Sequence, residues 1–119
     1  MVVIKKLSNI IPVDFGEFQF EYVVNDKGAK ELDKFREDLS KNWKKMEKLS
    51  DEEIAEKAKE LVEEGWTQLF GTDAFEKAYK FADEDTTIAF NYLMQATLGI
   101  QKEYRERNSE AAIKKYLEG

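Results

Sequence analysis

The fold is decided by the stretch Gly65-Trp66-Thr67-Gln68-Leu69-Phe70-Gly71-Thr72-Asp73. A capped amphipathic helix is predicted to run into this stretch and to end on large aromatic residues and a glycine. A second capped helix is predicted to begin immediately afterwards. Such a corner fixes the angle between two helices, and its residues carry no group suited to covalent chemistry.

The helix that enters the corner begins at a capping box, Ser50-Asp51-Glu52-Glu53. The Ser50 hydroxyl can accept from the Glu53 amide, and the acidic residues favour the positive end of the helix. Apolar residues then recur at helical spacing through the corner, at Ile54, Ala58, Leu61, Val62, Gly65, Trp66 and Leu69. Gly65 costs about 1 kcal/mol relative to alanine inside a helix. It therefore indicates either a close contact with another helix or an early helix end.

Two further helices are predicted after the corner. Gly71 is suited to a left-handed C-cap, and Asp73-Ala74-Phe75-Glu76 repeats the capping-box spacing for a short helix. Asp83-Glu84-Asp85 can then cap a long helix over roughly residues 86–106. Apolar residues occur nearly all round that long helix, which predicts that it is the most buried helix of the fold.

The N-terminal region has the two-residue period of β-strands. One face carries Phe18, Phe20 and Tyr22, and upstream the apolar residues occupy the odd positions Ile11, Val13 and Phe15. The phase changes around Gly16, where a positive φ can form a turn, so a β-hairpin is predicted. Pro12 cannot donate to a ladder, which places the first strand at an edge. A third strand over residues 2–7 is left open.

A further helix is predicted between the hairpin and Ser50. Asn25 can cap it, and its apolar residues lie on one face at Leu32, Phe35, Leu39, Trp43 and Met46. Together the patterns predict a mainly α protein, a bundle of four to five helices with a short N-terminal β-hairpin. We expect a single domain over residues 1–119, with a hairpin region at 1–24, a helical core at 26–107 and a C-terminal helical tail at 108–119.

Composition restricts the classes of function. The 119 residues include no cysteine and no histidine, and the formal net charge is −6. Disulfides, thiolate sites and the commonest general base and zinc ligand are therefore excluded. Nucleic acid is disfavoured as a partner because phosphate binding needs clustered basic residues, and the lysines at 41, 44, 45 and 48 stand among acidic residues as a solvated helix face.

Membrane association is also not expected. No apolar run is long enough for a membrane span. The segment of residues 1–7 lacks the order of charged and apolar residues found in a signal peptide. We therefore expect the protein to stay in the cytoplasm.

Three features can be weighed as chemical sites. Asp83-Glu84-Asp85 offers carboxylates to a hard cation but lacks the spacing of a calcium loop, so helix capping is favoured. The pairs Glu52/Glu53 and Glu63/Glu64 adjoin solvent-facing positions, whereas catalytic carboxylate pairs need differing, partly buried environments. The aromatic strand is flanked by glutamates, which favours burial under a helix over stacking on RNA bases. We expect no catalytic residue, no cofactor and no metal.

The remaining informative residues are large apolar side chains that serve either the core or a partner surface. The candidates for partner binding are Trp43, Trp66, Phe70, Ile113, Tyr116 and Leu117. A core position explains each of them, whereas an exposed apolar patch marks a binding surface. The C-terminal trio is the best candidate because it lies outside the compact helical set.

Several parts of the chain occur in a recognisable order. They are an N-terminal hairpin containing Asp14-Phe15-Gly16-Glu17-Phe18, a charged helix, a helix ending in Leu69-Phe70-Gly71, a short helix with Ala78-Tyr79 and a long final helix. Over about residues 13–104 this order resembles the tail assembly chaperones of long-tailed phages and prophages. The Phe-Gly corner followed by a short capped helix is the most telling part, and no part of it is a catalytic motif.

The resemblance implies a non-enzymatic activity in the host cytoplasm. Such chaperones coat the long, helical, aggregation-prone tape-measure protein until tail-tube subunits polymerise around it, and they are absent from the mature virion. The implied partner is the tape-measure protein, while contact with the tail-tube protein and formation of a homo-oligomer are left open. The family's client-binding positions cannot be transferred to this chain residue by residue. The alternative function is a structural or adaptor phage or prophage protein that acts by self-association.

Replacing the corner tryptophan tests whether the corner belongs to the core. If it does, Trp66→Ala removes a large buried side chain and lowers the free energy of unfolding by about 3 to 5 kcal/mol, as measured by chemical denaturation. An unchanged melting temperature would show instead that Trp66 is exposed.

Overall fold

The computed structural model describes residues 1–109, 113, 114 and 117. In chain order these residues form strands β1 (Ile10–Asp14) and β2 (Gln19–Val23), helix α1 (Asp26–Lys45), a 3₁₀ turn (Met46–Lys48), and helices α2 (Asp51–Phe70), α3 (Ala74–Phe81) and α4 (Thr86–Arg107). The predicted fold class is confirmed. The protein is mainly helical, with four α-helices and an antiparallel N-terminal hairpin among the described residues.

The hairpin forms where the apolar phase changes. Strands β1 and β2 pair antiparallel, with Val13 opposite Phe20. The Phe15 amide closes the turn by donating to the Phe18 carbonyl at 2.9 Å, and Gly16 takes a positive φ of 88°. Glycine is suited to this position because a side chain disfavours positive φ.

The apolar side of the hairpin faces the helices, as the two-residue period predicts. Ile11 and Phe20 are buried, and their neighbours on that side are half-buried. Residues 2–7 form no strand and are exposed. The third strand that the sequence left open is therefore absent from the structure.

Helix α1 begins at its predicted cap, because the Asn25 side chain accepts from the Gly28 amide at 2.8 Å. Its apolar stripe is buried at Leu32, Phe35 and Leu39. The helix thus lies at the surface with one face turned to the core, which is the arrangement that its periodicity predicts.

Helix α2 runs through Gly65 without interruption, which confirms the close helix contact and rules out the early end. A Cβ atom placed on Gly65 would lie 2.6 Å from Leu93 Cδ2 on α4 and 3.5 Å from Phe35 Cζ on α1. The backbone of α2 therefore packs directly against side chains of two other helices. Beside it, Trp66 is 0% exposed, and its indole Nε1 donates to the Ala89 carbonyl at 3.2 Å.

The corner between α2 and α3 differs in detail from its prediction. Gly71 ends α2 with φ 101° and ψ 178°, an extended positive-φ conformation rather than the left-handed helical one expected. Asp73 makes no capping hydrogen bond through its side chain, since its own φ of −90° and ψ of −7° are already helical. The capping box predicted at residues 73–76 is therefore wrong. The Ala74 amide instead donates to the Gly71 carbonyl at 3.3 Å.

Helix α4 is the centre of the fold, in contact with α1, α2, α3 and β1. The Asp85 carboxylate caps it by accepting from the Ile88 amide at 2.9 Å. Its burial is one-sided, however, because Ile88 and Leu98 are 40% and 49% exposed. With six buried residues, α4 buries more residues than any other described helix, as its apolar pattern predicts, although one of its faces is left uncovered by the other elements.

A polar layer sets the register of α4 against α1. The buried Gln101 side chain accepts from Arg36 Nη1 at 2.6 Å and donates to Asp33 Oδ1. Near the helix ends, the Tyr104 hydroxyl donates to Asp26 Oδ1 at 2.9 Å. Because a buried amide left without partners is unfavourable, sliding α4 along α1 is disfavoured by the loss of these bonds.

Alanine substitution at two helical glycines isolates the close contact at Gly65. Gly65→Ala and Gly99→Ala both gain helix propensity, but only the first places a Cβ against another side chain, since nothing lies within 4 Å at Gly99. We expect Gly65→Ala to be less stable than Gly99→Ala by about 1 to 3 kcal/mol, as measured by urea denaturation. Equal stabilities of the two variants would contradict the packing described for α2 and α4.

Candidate partner-binding site

The six residues predicted for partner binding do not form one surface. Trp66 lies in the core, which agrees with the core alternative and removes it from any partner surface in this fold. Phe70 is half-buried and packs its ring on Phe20 at a centroid distance of 5.0 Å and on Trp66 at 5.6 Å. Trp43, also half-buried, stacks on Phe90 of α4 at 4.0 Å with an interplanar angle of 13°. Each of these three aromatic residues is engaged by the chain's own core.

The C-terminal candidates are the exposed ones. Helix α4 ends at Arg107 with Asn108 as its C-cap. Beyond it, Ile113 is 52% and Leu117 is 80% exposed. Tyr116, the third member of the predicted trio, lies outside the described residues. Ile113 and Leu117 therefore remain available to a partner.

A second apolar surface is an open groove between β1 and α4, which we call the aromatic groove. It has a volume of about 390 Å³. Its walls include Phe15 from the hairpin turn, Phe81 from the end of α3 and Tyr92 from α4. The Phe15 and Phe81 rings meet edge to face at 5.1 Å, and Phe81 lies 5.6 Å from Tyr92. All three rings are half-buried, so each keeps accessible apolar area.

Small residues and acids complete the aromatic groove. Ala96 and Gly99 line it on α4. Gly99 is exposed with nothing within 4 Å of a Cβ position, so this part of the groove is empty space. The polar side chains of the lining are Asp14, Gln95 and Glu103, and the Glu103 carboxylate is paired with Arg107 Nη2 at 2.8 Å. The result is an apolar trough with negative charge beside it.

Sequence reasoning missed the aromatic groove because its walls come from three separate segments. Phe81 is the last residue of the short helix α3, and the apolar spacing of that helix does not distinguish it from the core residues. One available signal was the run Tyr92, Ala96, Gly99 on α4, which places an aromatic and two small residues on one helix face at i, i+4 and i+7. Small residues beside an aromatic leave a depression on a helix surface.

The acidic residues that the sequence analysis considered as possible catalytic or metal sites are exposed to solvent. Glu52, Glu53, Glu63 and Glu64 are all exposed. The described residues contain no group of three or more potential ligands arranged to hold a metal ion. Within the Asp83-Glu84-Asp85 run, the capping role is shown for Asp85 by its hydrogen bond to the start of α4.

The pKa values of two tyrosine hydroxyls are raised by their surroundings. Burial raises the pKa of Tyr22, and the Glu31 carboxylate raises it further. The hydrogen bond to Asp26 raises the pKa of Tyr104, with smaller contributions from burial and from the charge of that carboxylate. Each shift favours the neutral phenol, which is a poor base at pH 7, so both tyrosines are better suited to hydrogen bonding than to proton abstraction.

Comparison with known proteins identifies no relative of this chain. The chain matches no protein-family model, no curated protein and no solved structure. In the part of the chain that the structure describes, no helix is both long and apolar enough to span a membrane. A function for this protein is therefore inferred from its surfaces.

Truncation tests whether the C-terminal candidates serve the fold or a partner. A chain ending at Arg107 should lose no more than about 1.5 kcal/mol of unfolding free energy, because it loses the Asn108 hydrogen bond to the Tyr104 carbonyl at 2.9 Å and two apolar side chains that are exposed. It should also bind a client or self-associate more weakly than the full chain, as measured by light scattering and pull-down. The full-length double variant Ile113→Ser and Leu117→Ser is the matched control for the loss of apolar surface. An insoluble truncated chain would instead assign the tail to the core.

Proposed function

We propose that this protein is a non-enzymatic assembly chaperone that binds amphipathic helical segments of an elongated client. The client that we propose is the tape-measure protein of a long-tailed phage or prophage. Two things support this: the order of elements resembles that of tail assembly chaperones, and the fold carries an apolar groove open to solvent. The place of action that we propose is the host cytoplasm, before the tail is complete.

The observation that carries the proposal is the aromatic groove. Phe15, Phe81 and Tyr92 present rings along a trough beside α4. An amphipathic helix can lay its apolar face into such a groove, with anchors at i, i+3, i+4 and i+7. Aromatic side chains in a pocket contribute disproportionately to binding energy because they bury large area without losing many rotamers.

The negative charge around the aromatic groove favours client helices of positive charge. Asp14 and Glu103 line the groove, and the chain as a whole carries a net charge of −6. A client helix with lysine or arginine beside its apolar stripe is therefore favoured over an acidic one. The same negative charge keeps a client coated with many copies soluble through mutual repulsion.

Reversible coating requires weak individual contacts. A single shallow groove buries little area compared with a stable protein interface. Many copies along one elongated client supply strength through multivalency, and each copy can still leave quickly. This arrangement suits a chaperone that tail-tube subunits displace.

The alternative function is a structural or adaptor protein that works by self-association. Mixing the purified chain with a helical fragment of the tape-measure protein encoded in the same genome separates the two. A chaperone gives a soluble complex and suppresses aggregation of the fragment. A self-assembling structural protein gives ordered homopolymers without any client and leaves the aggregation of the fragment unchanged.

Filling the aromatic groove should abolish client binding without harming the fold. Gly99→Leu places a branched side chain in the empty part of the groove and also improves the helix propensity of α4. We expect client affinity to fall at least about tenfold, as measured by calorimetry or fluorescence anisotropy with the tape-measure fragment. The melting temperature should be unchanged or higher.

Lys102→Leu is the matched control for this experiment. It introduces the same side chain at an exposed position of α4 that does not line the groove. We expect it to bind the client within about twofold of the original chain. Equal binding by the Gly99→Leu variant would remove the groove from the proposed function.

A further inference from the structure

The hairpin has two outer edges, and its hydrogen bonds show which residues face them. The Val24 amide donates to the Asn9 carbonyl, and the Phe15 amide donates to the Phe18 carbonyl, both at 2.9 Å. Bonded and non-bonded pairs alternate along an antiparallel ladder, so odd residues of β1 bond to even residues of β2. The remaining residues direct their backbone groups outward, and they are Ile10, Pro12 and Asp14 on β1 and Gln19, Glu21 and Val23 on β2.

The outer edge of β1 is closed to another strand. The Ile10 amide donates to Ser8 Oγ at 3.2 Å, and its carbonyl accepts from Arg107 Nη1 at 3.0 Å. Pro12 has no amide hydrogen to donate. Proline and occupied backbone groups are the devices that prevent edge pairing.

The outer edge of β2 has no such protection. Among the described residues, no partner for the outward backbone groups of Gln19, Glu21 or Val23 is found in the backbone hydrogen bonds. All three residues are exposed, but the first turn of α1 lies beside the Val23 carbonyl, which is 3.6 Å from a Cβ position on Gly28. The outward positions at Gln19 and Glu21 therefore form the template for strand addition, in which backbone hydrogen bonds supply affinity.

Residues 1–7 form an exposed arm with the composition of a strand. The segment Val2-Val3-Ile4-Lys5-Lys6-Leu7 is rich in β-branched residues, and Ile4 is 89% exposed. Several large apolar side chains in succession have no packing partner within the described part of the chain. An exposed apolar patch of this kind marks an interaction site.

We propose that this arm pairs with the outer edge of β2 in a second copy of the chain and extends its sheet to three strands. Charge supports this choice of partner, because Lys5 and Lys6 would meet an edge that carries Glu17 and Glu21. Side chains alternate along a strand, so one of two adjacent lysines faces the glutamates in either register. With Lys5 on that face, Val2 and Ile4 lie on the core side of the extended sheet, together with Lys6 at its end.

Geometry favours a second copy over the arm's own hairpin. Asn9 is held by the Val24 amide next to the end of β2. Crossing from β1 to the far side of β2 spans two strand spacings, about 9.5 Å, which uses about three residues. Residues 6–8 would then serve as a linker, and Lys6 and Leu7 could not pair. An arm from another copy can use its whole length.

Sedimentation equilibrium of three chains tests the proposal. The original chain should show a weight-average mass above that of the monomer, rising with concentration and falling with added salt. Deleting residues 1–7 should leave a monomer with an unchanged melting temperature, because the arm does not pack on its own core. The double variant Lys5→Glu and Lys6→Glu should raise the dissociation constant roughly fivefold to tenfold.

Charge exchange and a matched control make the test specific. Adding Glu17→Lys and Glu21→Lys to the Lys5→Glu and Lys6→Glu chain should restore association. The control Lys44→Glu and Lys45→Glu makes the same charge change on exposed α1 positions and should have no such effect. Carbodiimide cross-linking of mixed light and heavy isotope chains should join Lys5 or Lys6 to Glu17 or Glu21 between copies.

Three outcomes would overturn the arm exchange: a monomer at every concentration, an oligomer that survives deletion of the arm, or cross-links confined to single chains. These outcomes are distinct from failure of the chaperone proposal. The arm experiments contain no client, and Gly99→Leu alters neither the arm nor the β2 edge.

Discussion

The absence of a side chain at Gly65 is the constraint on which the rest of the structure depends. It lets the backbone of α2 approach Leu93 of α4 so closely that a Cβ would lie 2.6 Å from the leucine Cδ2. At that distance the neighbouring Trp66 indole donates a hydrogen bond to the Ala89 carbonyl of α4 and is fully buried. The aromatic residues of the hairpin then pack on Trp66 and Phe70, which positions β1 against α4. The aromatic groove lies along this contact, with β1 on one side and α4 on the other.

Much of the fold follows from local rules that act within a few residues. The caps at Asn25, Ser50 and Asp85 begin three helices as their side chains predict. The change of apolar phase at Gly16 marks the hairpin turn. Two local predictions failed for physical reasons. Asp73 already has helical backbone angles and cannot cap, and Gly71 ends α2 in an extended positive-φ conformation rather than the left-handed helical one.

The sequence predicted the candidate sites less well than it predicted the fold. Five of the six predicted partner residues have described positions, and three of these, Trp43, Trp66 and Phe70, pack within the chain. The aromatic groove joins residues from the hairpin, α3 and α4 that are far apart in sequence, so no periodicity reports their proximity. The open edge of β2 likewise depends on which backbone groups face outward, and that follows only from the register of the ladder. Surfaces formed by residues that are far apart in sequence can be identified only from the structure.

The aromatic groove and the β2 edge use different chemistry, since one offers aromatic area and the other backbone hydrogen bonds. A chain that self-associates through its arm can therefore bind a client through its groove. The most direct test of the central claim is an amide NMR titration of the isotope-labelled protein with a basic amphipathic helix from the tape-measure protein. If the aromatic groove binds this proposed client, chemical-shift changes should concentrate at Phe15, Phe81, Tyr92 and Gly99. Changes confined to other faces, or none at concentrations that stop the client from aggregating, would contradict that claim.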